Sequence, residues 1–118
     1  MTPELRCIET ELENGILVIR ISETALNIAG AIDGVNREIV QAIDQFGGSN
    51  VLLDFQSVTI ISSLMLGKLV RLQSQVSAAG GRLILCNLQP QVNRVFAIAR
   101  LTKVFEIKEG VADSLAFF

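Results

Sequence analysis

Few residues in this chain could do chemistry, and the adjacent pair Ser62 and Ser63 is the most prominent of them. It lies in VTIISSLMLGKL (58–69), a run that is otherwise almost wholly apolar. A hydroxyl buried mid-strand without a partner costs about 1–3 kcal/mol, so the pair needs a reason to be there. As nucleophiles the serines lack a base. The chain contains no histidine, which removes Ser-His-Asp and Cys-His arrangements and the commonest zinc ligand. Lys68 is about 140° round a helix from Ser63 and points elsewhere. Asp33, Asp44 and Asp54 show no paired spacing for acid–base work. Asp54 closes an apolar run and is expected to cap or pair locally. Cys7 and Cys86 stand far apart in strand-like segments, where a free cysteine behaves as a small hydrophobe. GAIDG (30–34) is neither a P-loop nor a dinucleotide fingerprint. No catalytic residue, metal site or cofactor is expected.

Bulk properties narrow the partners. The 118 residues carry 10 Lys and Arg against 12 Asp and Glu, so the formal charge is -2 and basic residues form no cluster. With neither Trp nor Tyr for stacking, the chain lacks the features of a nucleic-acid binder. Half the residues are hydrophobic, which excludes disorder, yet no apolar run reaches the roughly 18 residues that span a bilayer. The N-terminus MTPELRCIETELENG has no basic segment followed by an apolar one, so export is not indicated. A cytoplasmic protein of one domain, residues 1–118, without membrane insertion, is expected.

The elements that must position the serines follow from periodicity. LRCIETEL (5–12) and ILVIRI (16–21) read as strands joined at Asn14-Gly15, a strong type I′ hairpin signal. Residues 23–34 read as irregular, with Gly30 and Gly34 as breakers. Val35, Ile39, Val40, Ile43 and Phe46 recur at helical spacing before Gly47-Gly48. NVLLDF (50–55) and RLILCNL (82–88) are apolar runs suited to strands buried on both faces. Between them, Leu66, Leu69, Leu72, Val76 and Ala79 make a helical stripe from about Ser63 to Ala79. QPQVNRVFAIARL (89–101) reads as a helix with Pro90 in its first turn, KVFEI (103–107) as a short strand, and GVADSLAFF (110–118) as a terminal helix. The alternation implies an α/β fold, a mixed sheet of four to five strands with about four helices packed on it.

In this layout the serines fall between strand and helix. Ser62 is expected at the N-cap, where its hydroxyl can accept from a free backbone N–H, and Ser63 in the first turn. The same end of a helix favours a phosphate. Leu64 and Met65 cannot both join the stripe, so at least one should be exposed as part of a docking surface. Asn27 and Asp33, in the 23–34 segment, are further candidates for partner contact.

Residues 51–107 as a whole resemble the body of a STAS domain, the fold of bacterial anti-sigma factor antagonists. The resemblance rests on an apolar strand ending in Asp54, the serine turn before Leu66-Gly67, a long helix, Gly80-Gly81, a strand ending near Asn87, a further helix and LTKVFEI. Aligned on Leu66-Gly67, the family motif Asp-Ser-Ser-Gly falls on Ser62, Ser63, Leu64 and Met65. The resemblance therefore implies phosphorylation at Ser63. Ser62 stands where the family has an acid, which makes it a second candidate acceptor, and Met65 stands where the family has glycine. The implied partners are an anti-sigma factor with serine-kinase activity and a serine phosphatase, and a homodimer is compatible. STAS domains also serve as accessory subunits of lipid transporters and as sensor parts of stress complexes, so the resemblance leaves a partner- or ligand-binding role without phosphorylation as the alternative.

Overall fold

Asn14 and Gly15 both adopt positive φ, at 54° and 79°, as a type I′ turn demands. They join β1 (Ile8–Glu13) to β2 (Ile16–Ile21) in an antiparallel hairpin that pairs Glu13 with Ile16 and Ile8 with Ile21. The structure is a computed structural model and describes residues 7–118. Leu5 and Arg6, expected in the first strand, lie outside the described residues.

After the hairpin come β3 (Ala25–Leu26), α1 (Ala29–Phe46), β4 (Asn50–Asp54), β5 (Ile60–Ile61) and α2 (Ser63–Ala78). They are followed by β6 (Arg82–Cys86), α3 (Pro90–Ile98), β7 (Glu106–Lys108) and α4 (Val111–Leu115). The main sheet has the order β1-β2-β4-β6-β7, with β1 antiparallel and the other neighbours parallel. This is the mixed five-stranded sheet with four helices that the alternation implied.

The apolar runs of the central strands serve two faces, with the period of two that a pleated strand imposes. Leu17, Ile19, Val51, Leu53, Leu83 and Leu85 join the main core beneath α1, α2 and α3. Ile16, Val18, Leu52, Ile84 and Cys86 form a smaller core covered by Val111, Leu115 and Phe118. In the main core Phe96 meets Phe55 and Phe105 edge-on, with ring centroids 6.4 and 5.6 Å apart.

Four local expectations need correction. The 23–34 segment is not irregular: β3 pairs in parallel with β5 as a separate two-stranded sheet, and α1 begins at Ala29 rather than Val35. Gly30 and Gly34 lie within that helix. Gly34 is buried because α1 passes close to the start of β1, where an added Cβ would sit 3.2 Å from the Cys7 sulfur. In α2 the stripe runs through Met65, Leu66, Leu69, Leu72 and Val76, while Ala79 lies past the helix and is exposed. The last strand covers Glu106–Lys108, shifted because residues 102–104 turn and Phe105 is drawn into the core.

Candidate functional site

Ser62 occupies the N-cap of α2 with extended backbone (φ -109°, ψ 167°), and its carbonyl accepts the first helical bond from the Leu66 N–H at 3.1 Å. Its own N–H donates to the Leu26 carbonyl at 3.0 Å. That bond continues the pairing of Leu26 with Ile61 and sets Asn27 and Ile28 beside the start of α2.

The cap hydrogen bond expected of the Ser62 hydroxyl is not made. Its Oγ is enclosed and has no hydrogen-bond partner among the described residues. Ser63, the first residue of the helix, is exposed. No acidic residue sits in the first turn, so the partial positive charge of the helix end is not offset by a carboxylate on α2.

Apolar groups surround the serines unevenly. Leu64 is 50% exposed, whereas Met65 is 1% exposed and belongs to the core. Met65 is therefore corrected from a docking residue to a packing residue: one step along a helix turns a side chain by about 100°, from the outside of the first turn onto the buried stripe. Ile28, at 66% exposed, and Ile60, at 47%, flank the same helix start. Periodicity did not single out either one, because Ile60 belongs to the unanticipated β3–β5 unit and Ile28 is the N-cap of α1, which starts earlier than expected. Asn27 is exposed next to Leu26 and is brought close to the pair. Asp33 is exposed in the second turn of α1 and makes no hydrogen bond with either serine.

Asp54 behaves as a structural acid. Buried at the end of β4, it accepts from Arg20 Nε at 3.1 Å, the Gln56 N–H at 3.0 Å and Asn87 Nδ2 at 3.0 Å. Asn87 provides its amide from a positive φ of 58°. Burial first, then the nearby Asp54 carboxylate, pushes the Cys86 thiol up to about 12, so Cys86 remains a thiol near neutral pH.

The model of the STAS domain family matches residues 8–114. The chain belongs to the STAS domain family. A curated relative, the anti-sigma F factor antagonist of Paenibacillus polymyxa, is 23% identical over 108 residues, covering 92% of this chain and 91% of its own length. Among solved structures, an anti-sigma factor antagonist from Mycobacterium paratuberculosis superposes with a TM-score of 0.79 at 17% identity, covering 98% of this chain and 95% of its own. The anti-sigma factor antagonist SpoIIAA is also similar, in two forms. Its unphosphorylated form gives a TM-score of 0.73 at 21% identity, covering 92% of each chain. The phosphorylated Bacillus form gives 0.67 at 20%, covering 92% of this chain and 96% of its own. As in other parallel α/β sheets, the STAS helix α2 starts at the carboxyl end of its strands, where such folds place their sites.

Proposed function

We propose that this STAS domain is an anti-sigma factor antagonist that acts by binding, without chemistry of its own, and that phosphorylation of Ser63 switches its partner. The exposed Ser63 hydroxyl in the first turn of α2, with exposed Leu64 next to it, carries the reading. A serine kinase, the anti-sigma factor itself or a companion, transfers the γ-phosphoryl group of ATP to Ser63 Oγ, and a phosphatase returns the hydroxyl. The modified residue adds about -1.5 to -2 charge at pH 7 at a helix end that tolerates negative charge. The fold then stays intact while an apolar partner is repelled. The names of the curated relative and of SpoIIAA support the role, and the match of SpoIIAA in both phosphorylation states supports the switch.

Of the two candidate acceptors, Ser63 is favoured by access, since Ser62 Oγ is enclosed. Incubation with ATP and the host's serine kinases, followed by peptide mass spectrometry, tests this. Phosphate on Ser63 is expected. Phosphate on other residues alone, or on none, would refute the switch.

A further inference from the structure

The outer edge of β1 combines features that the serine site does not use. Among the described residues β1 pairs with β2 alone, at one end of the main sheet. The Ser22 N–H donates to the Cys7 carbonyl at 2.8 Å, which fixes the alternation of the ladder. Odd-numbered residues of β1 bond β2, and the N–H and C=O groups of Ile8, Thr10 and Leu12 face outward. A free edge of this kind is a template for another strand.

The two faces of that edge differ in chemistry. Register places Glu9, Glu11 and Glu13 opposite Arg20, Val18 and Ile16, so the three carboxylates share one face. Glu9 lies 3.7 Å from Arg20, but Glu11 and Glu13 form no ion pair among the described residues. Hydrogen bonding to Glu11 and repulsion from its charge raise the Glu13 carboxyl above its ordinary value. On the other face Leu12 is 64% exposed. It borders a groove of about 280 Å³ lined by Thr10, Leu17, Ala42, Gln45 and Phe46. Charged side chains on an edge keep strands of other molecules away, and that role accounts for the glutamates. It does not account for an exposed leucine beside a groove where the apolar side chains of Leu17, Ala42 and Phe46 lie next to Thr10 and Gln45.

We infer that this edge docks an extended segment of a protein partner, with basic residues on one face and apolar residues on the other, as a sixth strand beside β1. A second copy of this chain does not fit, because pairing β1 with itself would set glutamates against glutamates, which is unfavourable directly across a ladder. A basic residue of the incoming strand meets Glu11 or Glu13, and its apolar residues enter the groove beside Leu12 and Phe46. Main-chain bonds to Thr10 and Leu12 supply the rest.

The probe is an acetylated octapeptide alternating lysine and valine, with a glutamate–valine peptide as control, read by fluorescence anisotropy and residue-resolved amide exchange. The lysine peptide is expected to bind and newly protect the amides of Thr10 and Leu12, leaving those of Glu9, Glu11 and Glu13 as they were. Thr10→Pro removes an outward donor and leaves the bonds to β2 in place, so it should weaken binding by about tenfold or more. Glu11→Lys, at an exposed position, should shift preference toward the glutamate peptide. Absence of binding, equal binding of both peptides, or binding without new protection at Thr10 and Leu12 would each overturn the inference. None of these readouts requires the Thr10→Pro variant to fold.

Discussion

The Ser62 N–H and the Leu26 carbonyl, 3.0 Å apart, tie the first residues of α2 to the strand that leads into α1. Through this bond the exposed Ile28 and Leu64 are carried by one framework: β3 and β5 are paired, and each feeds directly into a helix. The platform around Ser63 is thus held by backbone bonds and by Leu26 and Ile61 below it, both buried. Surface side chains can change there without dismantling it.

Leu64 and Met65, adjacent in sequence, should therefore respond in opposite ways to truncation. Leu64→Ala removes exposed surface and should change stability by no more than about 0.5 kcal/mol, while weakening capture of an anti-sigma factor. Met65→Ala empties a core site and should cost about 2–5 kcal/mol. Urea unfolding of the two variants, with binding measured alongside, separates the docking residue from the packing residue.

Ser62→Ala distinguishes position at a cap from action as a cap. Replacing a capping serine by alanine ordinarily costs about 0.5–2 kcal/mol. Here the hydroxyl has no partner to lose, so the urea midpoint of Ser62→Ala should be unchanged or slightly raised. A loss of about 1 kcal/mol or more would show that Oγ bonds the first turn in solution.

The C-terminal segment is held by Arg82, which donates Nε and Nη2 to the two Glu106 oxygens at 2.8 and 2.6 Å and Nη1 to the Phe117 carbonyl. Hydrogen bonding from Arg82 keeps the Glu106 carboxyl below its ordinary 4.5. A carboxyl lowered by folding stabilises fully above its unfolded value, and that contribution fades as pH falls through the lowered one. Glu106→Gln should thus lower the melting temperature modestly at pH 7. The gap to the parent protein should begin to close as pH drops below about 4.5 and should not widen. Thermal scans across that window check the sign.

Most of the sheet and its helices were legible from residue patterns because long periodic runs leave little choice. The alternation of Val51, Leu52 and Leu53 fits a strand buried on both faces. Asn14-Gly15 fixes the hairpin, and Ser62 marks the helix start. The β3–β5 unit was not legible: two-residue strands have no periodicity, and their pairing joins segments 35 positions apart in the register of Ala25 with Ile60. Gly34 misled for a related reason, since a glycine that permits close packing looks in sequence like one that breaks a helix. Gly30 is simply tolerated on the exposed first turn of α1. At the site, the positions of Ser62 and Ser63 could be read, but the split between exposed Leu64 and buried Met65 could not. That split depends on the rotational setting of α2 over the core, which tertiary packing decides. The partners of Asp54, Arg20 and Asn87, come from two other segments and gave no local signal.

The central claim is that Ser63 gates a binding face without supporting the fold, and Ser63→Asp tests it most directly when stability and binding are measured on the same sample. A carboxylate at the first turn of α2 should leave the melting temperature unchanged or raise it, by up to about 1 kcal/mol in stability. Against an apolar partner the same charge would lose its water without gaining a counter-ion. Titration calorimetry with the host's anti-sigma factor should then show binding by the parent protein and a loss of at least about tenfold in the Asp variant. Equal binding by both proteins, or unfolding of the Asp variant, would contradict the account.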